Sequence, residues 1–262
     1  MDRSLSLRST RQLVFRAALC AGLLVGCAPE GQGFAEQASD NMDAVTAEAA
    51  LIVSSLDGMT ATTTPEEAVN ANAANAATFW TEGCFTFVID GDSITYTLTG
   101  CSGPFGLVEV NGEITITYRM TRSSIGFDIT TADLTIGEAS VSYTVNADVA
   151  TDARNVSVSS MGSITGRRGS SISYSSSYDL RYNASSECAG VDGSWSATVG
   201  AASWTTTVTN WQRCADRCPQ SGGTVTYSGP ARSVTLTYDG SDQVSWTSDS
   251  GGSGEVELFC SN

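Results

Sequence analysis

The chain has 262 residues, of which 28 are acidic and 13 are basic, and it has no histidine and a formal net charge of −15 at pH 7. All of the basic residues are arginine. Without histidine or lysine, the chain has no imidazole general base, no Schiff-base lysine and no lysine for a phosphate-binding loop. The negative charge also argues against nucleic acid as a partner, because such binding depends on Lys and Arg.

The N-terminus has the pattern of an export signal. Residues 1–16 contain four arginines and only one acid, Asp2, and an apolar run follows from Ala17 to Gly26. A basic head followed by about ten apolar residues is typical of a signal peptide, whereas a spanning helix needs about 20. We therefore expect residues 1–26 to be removed as a signal peptide.

The run ends in Leu24-Val25-Gly26-Cys27, which resembles the lipobox of bacterial lipoproteins. The resemblance covers the first 27 residues and implies cleavage before Cys27, acylation of its thiol with palmitate-type chains, and attachment to a membrane. In enterobacterial lipoproteins, an Asp after the acylated Cys causes retention in the inner membrane. Ala28 holds that position here, which favours the outer membrane, on its periplasmic or surface face. The alternative is an ordinary signal peptide that is cleaved nearby.

The mature chain is strongly acidic. Removal of residues 1–26 leaves nine arginines against 27 acidic residues, a net charge of about −18. Such a charge repels anionic membrane surfaces, so attachment would depend on the acyl chains alone. Residues 27–38 are predicted to be a lipidated, flexible tether.

A helical segment is predicted over residues 39–80. Its first helix is indicated by apolar residues that recur at spacings of three and four, namely Met42, Val45, Ala49, Ile52 and Leu56. We expect this helix to begin at Ser39 or Asp40 and to end at Gly58.

The second helix is predicted to begin at Thr64-Pro65-Glu66-Glu67. A capping Thr, a Pro at the first helical position and a Glu three residues after the cap agree with one another. Its apolar face is thin and consists of Val69, Ala73, Ala76 and Trp80. We expect both helices to pack on the β-structure that follows; the alternative is a loosely ordered spacer.

Residues 81–262 are predicted to be a disulfide-bridged antiparallel β-domain. Val, Ile, Thr, Tyr and Trp alternate there with small polar residues, and turn signals such as Asn111-Gly112 and Asp239-Gly240 recur at short intervals. The fold class is therefore mainly β: a meander of about 12–14 strands that forms a large sandwich or an open, curled barrel, with two short N-terminal helices.

Six cysteines remain once Cys20 and Cys27 are set aside, and an even number in an exported chain indicates disulfides. Cys84 and Cys101 flank the turn at Asp92, in a register that sets Phe87 opposite Leu98 and Ile89 opposite Tyr96. Cys188 and Cys214 are symmetric about Ala201. Elimination leaves a Cys218–Cys260 pair, and an exchange of Cys214 and Cys218 is the main alternative. A zinc site built from the last four cysteines is a minor alternative, since its thiols would have to stay reduced.

No catalytic, metal or cofactor site is predicted. Glu255 and Glu257 could form a carboxylate pair, but Val256 and Leu258 look like the inward residues of that strand. The acids at Asp90, Asp92, Asp239 and Asp242 suit turns better than calcium. The five tryptophans are Trp80, Trp195, Trp204, Trp211 and Trp246. They suit a core better than an exposed, glycan-binding row.

The β-region also resembles cysteine-bridged domains of uncharacterised envelope lipoproteins of Gram-negative bacteria. The resemblance is carried by Cys214 to Cys218-Pro219, Tyr238-Asp239-Gly240 and Leu258-Phe259-Cys260, and it implies no activity. The sequence thus predicts a non-enzymatic, structural or binding envelope lipoprotein. One alternative is a lipid or lipoprotein carrier, in which a half-barrel encloses an apolar ligand under a lid of helices. The other is a carbohydrate-binding or carbohydrate-cleaving surface protein.

Overall fold

A computed structural model describes most of the chain after the predicted tether. The described residues are 31–56, 64–103, 105, 107–121, 124–150, 155–165, 171–183, 186–199, 202–214, 217–258 and 260. Cys27, with the rest of the lipobox-like sequence, and Gly58, the predicted end of the first helix, lie outside them. Within these ranges, the helices are too short or too polar to cross a membrane.

In the part of the chain that the structure describes, two helices precede one antiparallel sheet of 13 strands, which follow one another in chain order. The helices are α1 (Gln32–Leu56) and α2 (Pro65–Phe79). The strands are β1 (Phe85–Asp90), β2 (Ser93–Gly103), β3 (Leu107–Met120), β4 (Ile125–Ile136), β5 (Ala139–Val149), β6 (Asn155–Thr165), β7 (Ser171–Asn183), β8 (Cys188–Val199), β9 (Ala202–Cys214), β10 (Thr224–Ser228), β11 (Ser233–Tyr238), β12 (Gln243–Ser248) and β13 (Ser253–Glu257). The prediction of a mainly β meander is confirmed, as a single open sheet with β1 and β13 at its edges.

The sheet curves around α1. Residues 45–56 of this helix are all buried, whereas a helix that lies on a surface keeps one exposed face. The helix packs against β3, β10, β11 and β13, and Glu48 forms hydrogen bonds to β6 and β7. One straight helix can contact strands so far apart in the sheet only if they surround it. We therefore describe the fold as an open, curled sheet with α1 on its concave side.

The helix α1 begins earlier than predicted. It starts at Gln32 instead of Ser39 or Asp40, so residues 32–38 of the predicted tether are helical. The apolar spacing of three and four in fact extends back to Ala38 and Ala35, both of which are fully buried. Contacts across the sheet hold this first part of the helix, since the Phe34 ring lies 5.0 Å from that of Trp204.

The helix α2 begins as predicted. Thr64 accepts a hydrogen bond from the Glu67 backbone at 3.3 Å, and the Glu67 carboxylate accepts one from the Thr64 backbone at 2.8 Å. The helix packs on β2 and β3. Val69 and Ala76 are buried on its inner face, and Ala73 is half-buried.

The side chains of the sheet alternate between a buried concave face and an exposed convex face. In β5 and β6 every second residue is buried almost without exception, and the exposed positions of β7 are mostly serine. All five tryptophans are buried in the core. The convex face therefore has no tryptophan row of the kind that the glycan alternative needs.

The three disulfides in the structure are the predicted ones: Cys84–Cys101, Cys188–Cys214 and Cys218–Cys260. Cys188 and Cys214 lie directly opposite each other on β8 and β9. The third bond ties the segment before β10 to the chain beyond β13. Since all six cysteines are bonded in pairs, the zinc alternative has no thiol left.

The register of β1 and β2 differs from the prediction by two residues. Phe87 lies opposite Tyr96 instead of Leu98, and Ile89 lies opposite Ile94 instead of Tyr96. A two-residue slip keeps the same side chains on each face, so the alternation of apolar residues could not exclude it.

A bulge in β2 accompanies the predicted disulfide in the shifted register. The turn between β1 and β2 has only two residues, Gly91 and Asp92, and Gly91 has φ of 58°. In that register Cys101 lies two residues beyond the partner of Cys84. The pairing of β2 with β3 shifts register between Leu98 and Cys101, with Gly100 at φ of 63°, and beside this bulge in β2 the two cysteine Cα atoms lie 5.2 Å apart.

Substitutions in α1 test whether the helix is enclosed. Leu51 and Ile52 are both about fully buried, at 1% and 0% exposure, although they point in directions about 100° apart around the helix. We expect Leu51→Ala and Ile52→Ala each to lower the free energy of unfolding by about 2–5 kcal/mol, measured by denaturant titration. Val88→Ala, at an exposed site, is the control and should change it by less than about 0.5 kcal/mol. A small effect at Leu51 would contradict the enclosure.

Candidate functional site

The strongest candidate for a site is the buried polar contact between Glu48 of α1 and the concave face of the sheet. Glu48 is only 2% exposed. Its Oε1 accepts a hydrogen bond from the Tyr178 hydroxyl at 2.5 Å. Its Oε2 accepts one from the Tyr174 hydroxyl at 2.8 Å and one from Ser160 Oγ at 2.9 Å. We call these four residues the Glu48 cluster.

The pleat of the sheet brings the three hydroxyls together. Tyr174 and Tyr178 are four residues apart on β7, so both point to the concave side. Ser160 of β6 lies opposite Ser176, midway between the two tyrosines, and the two serine hydroxyls are 2.6 Å apart. The small side chain of Ser160 leaves room there for the carboxylate of the helix.

Aromatic packing fixes the positions of the tyrosines. Tyr143 of β5 and Tyr174 pack edge to face, with ring centroids 6.1 Å apart. Gly162 is the residue between them across the sheet, paired with both, and a Cβ there would lie only 3.3 Å from the Tyr174 hydroxyl. On the other side, the Tyr178 ring lies 5.7 Å from that of Trp195. The hydroxyls are therefore held ready for the carboxylate.

Burial dominates the electrostatics of the Glu48 cluster. It raises the pKa of Glu48, and the hydrogen bonds from Tyr178, Tyr174 and Ser160 oppose part of that rise. Burial together with the charge of Glu48 also raises the pKa of Tyr178 and Tyr143 well above 10. The tyrosines therefore stay protonated and act as donors to the Glu48 carboxyl group.

The last turn of α1 is held by a second set of polar contacts. The Tyr118 hydroxyl of β3 donates to the Ser55 carbonyl at 2.9 Å, and the Asn72 side chain of α2 donates to the Ser54 carbonyl at 2.6 Å. The Tyr96 hydroxyl donates to Asn72 Oδ1 at 2.6 Å. The final carbonyls of a helix have no partner within the helix, so these side chains supply it in the core.

A small cavity lies beside the N-terminal half of α1. Its volume is about 10 Å³, and its lining is Ser39, Met42, Thr46, Trp211, Arg213, Pro219, Tyr238, Leu258 and Cys260. Ser39 Oγ and Trp211 Nε1 have no hydrogen-bond partner among the described residues. A polar space of this size suits one ordered water molecule. It is too small for a metabolite or an acyl chain.

The geometry of the Glu48 cluster suits anchoring better than reaction. The carboxylate is enclosed, so a molecule from solvent could reach it only if α1 moved. The hydrogen bonds from its three donors oppose both rotation of α1 about its axis and sliding of α1 along that axis. The Glu48 cluster thus fixes α1 in one register against β6 and β7.

The acidic residues considered from the sequence do not converge. Val256 and Leu258 are buried and Glu255 and Glu257 exposed, as expected for that strand. The Asp239 carboxylate accepts a hydrogen bond from the Ser241 backbone at 2.9 Å, which is turn chemistry. Across the described ranges, no three Cys, Asp or Glu side chains are grouped so that they could hold a metal ion.

Sequence reasoning missed the Glu48 cluster. Two signals were present: a glutamate followed directly by the apolar run from Ala49 to Val53, and two tyrosines four residues apart in the serine-rich strand β7. Neither signal alone names a partner. Their pairing spans 130 residues of chain, which no local pattern predicts.

Comparison with other proteins adds no identity to these observations. No protein family, no curated protein and no solved structure matches the chain. The function of the protein therefore has to be inferred from the residues and contacts described above.

The substitution Glu48→Gln tests the charge of the cluster. Because burial raises the pKa of Glu48 in the folded chain, its contribution to stability is largest below the pKa of an unfolded glutamate, about 4.3. That contribution falls as the pH rises through the folded-state value. We therefore expect the free energy of unfolding of E48Q, relative to the wild type, to increase from pH 4 to pH 8.

The measurement is denaturant unfolding at several pH values and constant ionic strength. Glu255→Gln is the matched control, since Glu255 is exposed on β13 and its replacement should give a smaller and flatter difference. A difference between E48Q and the wild type that stays constant with pH would contradict a raised pKa for Glu48.

Proposed function

We propose that the protein is a lipid-anchored protein of the bacterial cell envelope whose β-domain is a non-enzymatic scaffold or binding module. The observation that carries the proposal is the position of α1. This helix begins five residues after Cys27, the residue that resembles a lipidation site, and its whole second half is buried between the sheet and α2. An acyl anchor on Cys27 would therefore be joined through a helix to the centre of the domain.

The length of the connection supports a close attachment. Five residues span at most about 18 Å even when fully extended. The start of α1 lies at one end of the sheet, because a Cβ at Gly31 would be 2.9 Å from the Trp246 ring and 3.4 Å from Ser248, the last residue of β12. The proposal therefore places this end of the sheet next to the membrane.

The disulfides support a location outside the cytoplasm, in the cell envelope. Three bonds use all six cysteines after Cys27, and disulfides of this kind persist in oxidising compartments such as the periplasm or the cell surface. The net charge of about −18 for the mature chain favours attachment through acyl chains instead of a basic patch. By the resemblance at Ala28, we assign the protein to the outer membrane.

The position of α1 favours a scaffold over the carrier alternative. A carrier of the half-barrel type needs its concave side for the ligand, and here the side chains of α1 fill that side. The cavity beside α1, at about 10 Å³, is too small for an apolar ligand. The glycan alternative depends on the tryptophans and the carboxylates. It is less favoured because all five tryptophans are buried.

Labelling with palmitate tests the anchor. We expect cells that express the protein to incorporate labelled palmitate into it, and Cys27→Ser to abolish the label, because the acylated sulfur is lost. Cys20→Ser is the matched control and should leave the label unchanged, since Cys20 lies in the segment to be removed. Label that persists in the Cys27→Ser protein would refute the anchor.

Native mass spectrometry tests the scaffold against the carrier. We expect the exported protein to have the same mass in its native and denatured spectra, and to be lighter than its reduced form by six hydrogen atoms, two for each disulfide. The reason is that α1 occupies the space where a ligand would lie. An excess native mass that extracts into organic solvent would overturn this view and favour the carrier.

A further inference from the structure

The edge strand β1 is the most unusual part of the surface. Phe87, Val88 and Ile89 are consecutive and are 41%, 70% and 42% exposed. Among the described residues, the only other exposed large hydrophobic side chains are Met120 and Met161. Three of the five therefore lie side by side at one edge of the sheet.

The two edges of the sheet differ in a way that matters for pairing. The edge strand β13 has five residues and includes Gly254 and the exposed acids Glu255 and Glu257. Short length and charge are devices that prevent an edge from pairing with another chain. From Phe85 to Ile89, β1 has no charge and no proline, and its pairing with β2 is regular.

The backbone of β1 has hydrogen-bonding groups that no described strand pairs. The Thr99 N–H donates to the Cys84 carbonyl at 2.9 Å, which marks Cys84 as a hydrogen-bonded position of the β1–β2 ladder. Such positions alternate in an antiparallel pair. The N–H and C=O groups of Phe85, Phe87 and Ile89 therefore point away from β2, toward the open edge.

The concave side of β1 is also only partly covered. The Phe87 ring lies 5.8 Å from that of Tyr96 on β2, and α2 packs on β2 and β3, but Phe87 and Ile89 keep about two-fifths of their surface exposed. A further strand beside β1 would bring its own inward side chains next to these two residues. Its backbone would at the same time satisfy the edge groups that no described strand pairs.

Acidic residues surround this edge. Glu82 precedes β1, Asp90 ends it and Asp92 lies in the turn, and all three are exposed. An incoming strand that carries basic residues at its two ends would meet opposite charges at both ends of β1. One with acidic ends would be repelled.

We infer that β1 is a docking edge for an extended segment of a partner protein, with alternating apolar residues and basic residues at its ends, which adds to the sheet as a fourteenth strand. The inference rests on the proposed function, since it names the contact surface of the binding module. Strand addition of this kind takes affinity from main-chain hydrogen bonds and specificity from alternate side chains.

A partner segment fits this edge better than a second copy of the chain does. Antiparallel pairing of β1 with β1 of another copy reverses the strand direction. The start of α1, and with it the proposed anchor on Cys27, would then lie at opposite ends of the two copies. Two copies held in one membrane do not meet in that orientation.

The test uses the protein purified after export, in detergent if it is lipidated, and a labelled synthetic peptide of alternating Val and Thr with Arg at both ends. We expect saturable binding by fluorescence anisotropy. We also expect hydrogen exchange of the Phe85, Phe87 and Ile89 amides to slow by at least about tenfold, with no change on β13. A peptide with proline at two adjacent central positions lacks a donor on each edge and should not bind.

The matched variants are Val88→Lys and Met161→Lys. Each places a lysine at an exposed hydrophobic position, on the edge strand in the first case and on the interior strand β6 in the second. We expect Val88→Lys to weaken peptide binding at least about tenfold and Met161→Lys to leave it unchanged. Equal thermal melting of both variants shows that folding is not the cause.

Three results would overturn the inference: no slowing of exchange in β1 at saturating peptide, equal protection of β13, or protection of β1 that depends on protein concentration without peptide, which would indicate a second copy. None of these results depends on the acyl chain. A failure of peptide binding is therefore distinguishable from a failure of palmitate labelling, which tests the anchor alone.

Discussion

The enclosure of α1 is the constraint on which the other features of the fold depend. A sheet that surrounds most of a helix must curve, and α2 covers part of what the sheet leaves open. The alanines of α1 permit a close approach, and the larger side chains of Leu51, Ile52 and Val53 are fully buried in the core. Any polar group that α1 carries into this space has to find its partner on the sheet. The Glu48 cluster and the contacts of Ser54 and Ser55 are what satisfies that requirement.

A carboxylate at the centre of a core is expensive to bury, and the surrounding hydroxyls offset only part of that cost. What the fold gains from this burial is a single specific position for α1. Apolar contacts alone would permit α1 to slide or rotate, whereas three donors on β6 and β7 fit one register of the helix. The same logic does not extend to β1, which lies at an edge of the sheet and pairs only with β2 among the described strands.

Local patterns predicted the parts of the structure that depend on neighbours in the chain. The capping box at Thr64 was identifiable because it involves residues three apart, and hairpin symmetry identified Cys188–Cys214. The β1–β2 register was missed because apolar alternation is the same in either register. The pairing of Cys84 with Cys101 was still right, and a bulge in β2 lies just before Cys101.

The placement of α1 could not be predicted in this way. Apolar residues at spacings of three and four show which side of a helix faces a core. They do not show whether the other sides of the helix are covered as well. Ala47, Ala50 and Glu48 look like the outer side of an amphipathic helix, and only the surrounding strands make them interior. The Glu48 cluster has the same origin, because it joins residues from two distant parts of the chain.

The enclosure of α1 also sets the order in which the molecule can assemble. The helix is made first, yet Glu48 is bound by a tyrosine 130 residues later, and Gln32 meets a tryptophan 214 residues later. Hairpins of neighbouring strands can form while the chain emerges, whereas contacts of such long sequence separation form slowly. The apolar residues of α1 therefore lack their final contacts until the last strands have been synthesised. The segment that becomes the centre of the fold is therefore synthesised before the strands that surround it, and the sheet has to fold around it.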